Sequence, residues 1–323
     1  MTEPNDARTS LRVATWNVYL GADLTAITSA RDPESLAHAA TEAMRQAERT
    51  QFPARAKVIA DIISKSRPDV LGLQEVGRWE IHHDGERRSL WNHAELITEA
   101  LERLGERYVM LYCSDTFSGE LPLGDGRTVG FTNCDAMLLR ATPDRPITVL
   151  DAGFGHFDAH LEVTATDGST VPVKRGWVHA DLEVDGECVR VISTHLASMD
   201  ADTRRRQAHQ LVTVASPSPY PTVLVGDLNA EPEDSAMGVI TNAGYVDAWA
   251  DAGHGTGATW GRSADLDRED DLVSRIDYVL VDPERLRVDT VELLGDDVAA
   301  RTPGEAWLWA SDHAGVLAQI SLT

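Results

Sequence analysis

Three cysteines in 323 residues, Cys113, Cys134 and Cys188, are too few and too widely spaced for a disulfide framework, and no CxxC pair signals a zinc cluster. They read as buried free thiols. Cations are also scarce: 29 Lys and Arg stand against 52 Asp and Glu, a formal charge of −23. Such a surface repels nucleic acid and anionic membrane unless basic groups are locally concentrated, and the one visible cluster, Arg204, Arg205 and Arg206, reads as the solvated face of a helix. No apolar run approaches the roughly 18 uncharged residues of a spanning helix, and the segment from Met1 to Trp16 has no signal-peptide core. A soluble, cytoplasmic, monomeric protein is expected. No GxSxG is present and no cysteine lies in a nucleophile motif, so a Ser or Cys hydrolase has no support. No repeat of solenoid period is visible.

What is present is an ordinary globular composition, 42% apolar and 25% charged, able to bury a sizeable core. Residues 11–323 read as one domain after a disordered tail over 1–10. Residues 11–18 (LRVATWNV) form a strand, 21–53 resembles an insertion with a helix over 34–48, and 55–66 carries Val58, Ile59, Ile62 and Ile63 on one helical face. RPD then breaks that helix before a buried strand at 70–75. The same grammar returns with a strand at 187–196, a helix at 201–215 and a strand at 222–229. Further strands are expected at 108–114, 135–141, 174–184, 276–281, 288–294 and 315–321. Many strands and few helices make two sheets packed face to face, flanked by helices, the most economical architecture. Three long segments, 77–89, 142–172 and 253–274, are expected to form loops or hairpins.

Six short motifs place polar residues at the ends of apolar strands: TWN ending at Asn17, LQE ending at Glu75, STHL with His195, GDLN with Asp227 and Asn229, RIDYVL with Asp277, and SDH with Asp312 and His313. A buried polar group costs free energy unless it finds a partner, so six such endings imply a common purpose. In open α/β sheets, ligands collect outside the carboxyl ends of strands, which puts these residues at one cleft. In their order and spacing the six motifs resemble the endonuclease/exonuclease/phosphatase superfamily, the fold of pancreatic deoxyribonuclease and neutral sphingomyelinases, from Leu11 to the C-terminus. The resemblance implies a DNase I-like four-layer α/β/β/α sandwich of two packed mixed sheets flanked by helices.

It also implies roles. Glu75 would be the principal metal carboxylate, Asn17 would add an amide oxygen, and Asp312 would make a further metal contact. Oxygen-only ligation suits Mg²⁺, with Mn²⁺ as a substitute. Asp227 would position and deprotonate the attacking water, and Asn229, on the same side of an extended chain, would hold a phosphoryl oxygen. His313 would donate to the phosphoryl group with Asp277 fixing its other ring nitrogen, and His195 would be a second donor.

Asp135 and Arg175 read more readily as sheet-edge ion pairs than as site residues, Trp260 beside Thr259 slightly more readily as a core aromatic than as a wall of the substrate pocket, and Asp23 as a turn residue. His82, His83, His156 and His160 are taken as surface histidines in variable loops. The activity so implied is a metal-dependent phosphoester hydrolase, with a small or lipid-linked substrate favoured. A nuclease is the alternative that net charge disfavours, and a non-catalytic binding protein on the same fold is the alternative of another class.

Overall fold

A computed structural model describes residues 9–142 and 145–322; most of the tail expected over 1–10 lies outside the described residues, and Ser10 already belongs to the first strand. β1 (Ser10–Asn17) leads through α1 (Thr25–Ser29), α2 (Pro33–Arg49) and α3 (Phe52–Ser66) to β2 (Val70–Gln74). A hairpin of β3 (Arg78–His83) and β4 (Glu86–Asn92) precedes α4 (His93–Arg103) and a long hairpin of β5 (Tyr108–Pro122) and β6 (Thr128–Arg140). Next come β7 (Ile147–His156), the short pair β8 (Leu161–Thr164) and β9 (Thr170–Val173), then β10 (Gly176–Val184) and β11 (Glu187–His195). The chain continues through α5 (Ala201–Ala215), β12 (Thr222–Asp227), α6 (Ser235–Asn242), β13 (Val246–Asp247) and α7 (Ala248–Ala252). β14 (Asp277–Val281), β15 (Leu286–Leu294) and β16 (Gly315–Leu322) complete it.

One sheet has the order β15-β16-β1-β2-β6-β3-β4, with β5 also on β6; the other runs β13-β14-β12-β11-β10-β7. Both are mixed, because β1–β2 and β11–β12 pair in parallel while their neighbours are antiparallel. The central strands are apolar on both faces, as strands covered on both sides must be. In β1, Leu11 and Val13 meet Val189, Val191 and Val223 of the other sheet, while Ala14 and Trp16 face Ile59 and Ile63 of α3. In β12, Val223 and Val225 point between the sheets and Leu224 points to Leu211 of α5 and Ile240 of α6. Helices on the two outer faces thus complete the four layers.

The structure departs from the sequence expectation at the periphery. The strands expected at 108–114 and 135–141 run on to Pro122 and back to Thr128, forming a long hairpin whose distal half pairs with β3. Residues 77–89 form the β3–β4 hairpin, in line with expectation, but 142–172 contains, besides the β8–β9 pair, β7, the edge strand of the second sheet. β7 leaves Val149, Leu150 and Phe154 exposed, so burial never imposed the period-two pattern by which strands are read. The sequence expectation includes neither α4 nor α6.

A buried arginine ties the layers together near the strand ends. Arg55 of α3 is fully buried; it donates through Nε to the Thr50 carbonyl (2.8 Å), through Nη1 to Val18 (2.9 Å) and Ala310 (2.8 Å), and through Nη2 to Tyr19 (3.1 Å). It also lies over the rings of Phe52 and Tyr19. Burial lowers its pKa to about 10, still cationic at neutral pH. Arg55→Met would strand four carbonyls, and we expect it to lower unfolding free energy by about 3–5 kcal/mol. Denaturant unfolding checks this; a loss below about 1 kcal/mol would mean water replaces the guanidinium freely.

Candidate active site

The parallel register fixes where the functional side chains emerge. Asn17 lies beside Gln74 across β1–β2, His195 beside Asp227 across β11–β12, and Asp277 opens β14 directly opposite Asp227. Below this rim, Thr15 donates to the Gln74 amide oxygen (3.1 Å) and Gln74 donates to Ser193 (3.2 Å), joining the sheets through buried polar groups. The segment carrying Asp312 and His313 is drawn to the same rim by Ser311, whose hydroxyl donates to the Asn17 carbonyl at 2.7 Å.

Asp227 is the centre. Its Oδ2 accepts from the Asn17 amide at 3.0 Å and its Oδ1 from the Asn229 backbone N–H at 2.9 Å. His195 Nε2 lies 3.4 Å from Oδ2 and His313 Nε2 3.9 Å from it. Burial alone would raise the carboxyl pKa, but the two imidazoles and these hydrogen bonds outweigh it and lower the value. The preceding Gly226 has φ 152°, and a Cβ there would meet the Thr194 carbonyl oxygen at 2.0 Å. The glycine of GDLN is therefore what lets β12 approach β11 closely enough to set Asp227 beside His195.

The second pair is His313 and Asp277. His313 Nδ1 lies 2.9 Å from Asp277 Oδ2, which orients Nε2 toward Asp227. Burial opposes the charged imidazole, yet Asp277, Asp312 and Asp227 together push the His313 pKa up to about 10. The Asp277 backbone N–H is held by the Thr259 hydroxyl, and the His313 carbonyl accepts from the Trp16 indole and Arg262.

Glu75 follows β2 with φ 57°, a left-handed conformation that costs a non-glycine residue about 1–2 kcal/mol. Its Oε2 accepts from Leu20 N–H (3.2 Å) and its own N–H meets Asp135 Oδ1 (3.4 Å). Glu75, Asp227 and Asp312 line one cavity of about 470 Å³ together with His195, Asn229 and His313. Burial, with Glu75 and Asp227 adding to it, raises the Asp312 pKa to about 6 against the opposing pull of His313 and Arg55. Clustered oxygen donors whose charges repel one another fit a hard divalent cation. Asp227, Asp277 and His313 also lie close enough together to be weighed as a metal set. The charge favoured on His313 and its contact with Asp277 instead make that trio a proton-bearing unit.

Several expectations change. The Asn17 amide oxygen is engaged by the Tyr19 N–H at 3.0 Å and its amino group by Asp227, so Asn17 orients Asp227 and has one lone pair left for a metal. Asn229 is not on an extended strand: β12 ends at Asp227, Asn229 has φ 48°, and its amide donates to the Leu196 carbonyl at 3.0 Å. Asp135 and Arg175 meet at His195 rather than at a sheet edge. Arg175 Nη1 lies 3.1 Å and Asp135 Oδ1 3.5 Å from His195 Nδ1, which leaves Nε2 facing Asp227.

Trp260 is 41% exposed and walls the cavity, so it is no core aromatic. Asp23 does hold a turn, accepting from Thr25 N–H at 2.8 Å. His82, His83 and His156 sit on β3 and β7 rather than in loops, and none lines the cavity. Arg204 is buried against the Ala197 and Ser198 carbonyls and Asp234, bracing the turn after His195. Sequence reading missed Arg55 and Arg262, whose role lies in hydrogen bonds to carbonyls distant in the chain.

Comparison with known proteins bears on the fold and the family. Residues 14–313 match the model of the Endonuclease/Exonuclease/phosphatase family. No curated protein matches. Among solved structures, a family protein from Bacteroides thetaiotaomicron is 17% identical with a TM-score of 0.66, over 98% of this chain and 99% of that one. A mannosyl-6-phosphatase of the same species is 17% identical with a TM-score of 0.63, covering 97% of this chain and 99% of its own. A D. rerio TDP2 complexed with a single-strand DNA product is 14% identical with a TM-score of 0.58, covering 97% and 99%. Such identities establish the shared fold, and the match across nearly the whole chain establishes the kinship: this protein belongs to the endonuclease/exonuclease/phosphatase family of phosphoester hydrolases.

Proposed function

We propose that the protein is a divalent-metal-dependent phosphoester hydrolase in which water attacks phosphorus in line with the leaving oxygen. The observation that carries this reading is the meeting of the Asn17–Asp227 and Asp277–His313 pairs with Glu75 and Asp312 around one cavity. Glu75 and Asp312 would hold Mg²⁺ or Mn²⁺, which supplies polarisation of a phosphoryl oxygen. Asp227, steered by Asn17, orients the water and takes its proton as the oxygen–phosphorus bond forms. His313, kept protonated by Asp277, donates from Nε2 to the oxygen that gains negative charge. His195 offers a second N–H to the same phosphoryl group, and Arg175 and Asp135 position its ring.

A small or lipid-linked ester is favoured over a polynucleotide by the cation distribution. Arg205 and Arg206 share Asp202, and Arg204 pairs with Asp234, so two carboxylates offset most of the charge of the basic cluster. A non-catalytic role accounts less well for two oriented proton-transfer pairs facing a cavity.

Two measurements test the assignment. Turnover of bis(p-nitrophenyl) phosphate should require Mg²⁺ or Mn²⁺. Glu75→Gln should weaken Mn²⁺ binding in calorimetry, whereas Asp227→Asn should keep most of it and lose about 10²–10⁴-fold in turnover. Equal loss of metal binding in both variants would show the roles to be misassigned.

The pH profile tests the histidine. Because the folded His313 pKa is raised to about 10, the donor stays charged through neutral pH, and activity should fall only as pH rises through that value. Asp277→Asn removes the largest stabilising charge, so the alkaline limb should move to lower pH with little change in metal affinity. An unmoved limb would remove Asp277 from the mechanism.

A further inference from the structure

The cavity that holds the polar cluster does not end there. It continues between α1–α2 and the distal half of the β5–β6 hairpin, where Leu24, Ile27, Trp79, Phe117, Leu121 and Phe131 line it. β6 runs from one end to the other. On a single face of that strand, Asp135 lies near His195, Asn133 and then Phe131 and Val129 line the cavity, and at 3.4 Å per residue Asp135 to Val129 spans about 20 Å. A total of about 470 Å³ is ample for a small ligand.

The two ends differ in chemistry. The site end presents carboxylates and imidazoles; the far end presents aliphatic and aromatic carbon. Two guanidinium groups line the cavity, Arg175 and Arg262. Arg262 is spent on the Ser311 and Gly295 carbonyls and Arg175 lies against His195, so a second or third phosphate would find little charge to meet it. At the junction, Asn133 is 7% exposed and its Oδ1 has no hydrogen-bond partner. Leu24, Ile27, Phe117 and Leu121 are only partly buried by the protein, leaving apolar surface directed at the cavity.

Resting on the hydrolase reading above, we propose that this chamber binds a long aliphatic chain on the substrate, so that the ester cleaved is a lipid phosphoester. The phosphate sits at Glu75, Asp227 and His313, a hydrogen-bond donor near the ester meets Asn133, and the chain extends along β6 toward Val129. The segment that carries α1 and α2 and the long β5–β6 hairpin are then the specificity elements of this chain.

The test is a series of alkyl 4-nitrophenyl phosphates from methyl to decyl, below their aggregation concentrations, with Mn²⁺. The expected result is that kcat/KM rises about fourfold per methylene until the chamber fills, giving a decyl-to-methyl ratio above about 10². Ile27→Asp and Leu121→Asp, both at partly exposed positions, should each cut that ratio at least tenfold. Thermal melting establishes that each variant folds. A ratio near one in the wild type, faster cleavage of a DNA oligomer than of the decyl ester, or ratios unchanged in folded variants would overturn the proposal. Calorimetry with methyl, hexyl and decyl phosphonates reads the chamber without turnover. If no ester is hydrolysed yet phosphonate affinity climbs with chain length, the hydrolase reading fails while the chamber stands; chain-independent affinity overturns the chamber.

Discussion

Four backbone carbonyls from three separate segments converge on the guanidinium of Arg55, and the geometry of the site depends on that convergence. Val18 and Tyr19 follow Asn17, Ala310 precedes the SDH segment, and Thr50 closes the α1–α2 excursion. Each carbonyl would otherwise be a buried acceptor at a chain reversal, where no strand or helix supplies a donor. An arginine suits this place because its five donors are fixed in a plane, whereas a lysine could not reach four acceptors in those directions. Its charge also faces Asp312 and Glu75, so one residue both fixes the loops and offsets part of the negative charge they bring together.

On that frame the two sheets contribute different chemistry. The first sheet supplies Asn17 and, just past β2, Glu75; the second supplies His195, Asp227 and Asp277. The cavity opens where their strand ends meet. Asp227 is kept ionised by imidazoles and an amide, while His313 is kept protonated by Asp277, so a carboxylate and an imidazolium coexist 3.9 Å apart. Pairs of titratable groups driven toward opposite charge states are how one site runs base and acid chemistry at one pH. The long β5–β6 hairpin and the α1–α2 segment add a third contribution, an apolar extension of the same cavity.

Much of the centre was legible in the sequence because it rests on local rules. Strands buried on both faces read as continuous apolar runs, and a carboxylate, amide or imidazole at the end of such a run is conspicuous. Asn17, Glu75, His195, Asp227, Asp277, Asp312 and His313 were therefore visible as site candidates. β7 was not, because an edge strand with exposed faces carries no burial pattern. Asp135 and Arg175 were ambiguous for a different reason: an ion pair at a sheet edge and a contact to His195 begin from the same residue types.

The sequence by itself thus determined the order of elements in the core, the α/β class and which polar residues must find partners, since these follow from periodicity and the cost of burying an unpartnered group. Only the tertiary structure decided who those partners are. Asn17 turns its amide to Asp227, Asn229 leaves the strand in a left-handed turn, Arg55 gathers carbonyls more than 250 residues apart in the chain, and Trp260 walls a cavity instead of filling a core. The physical reason is that hydrogen-bond direction and cavity shape depend on which segments meet across the two sheets, and contacts between distant residues leave no local period in the sequence.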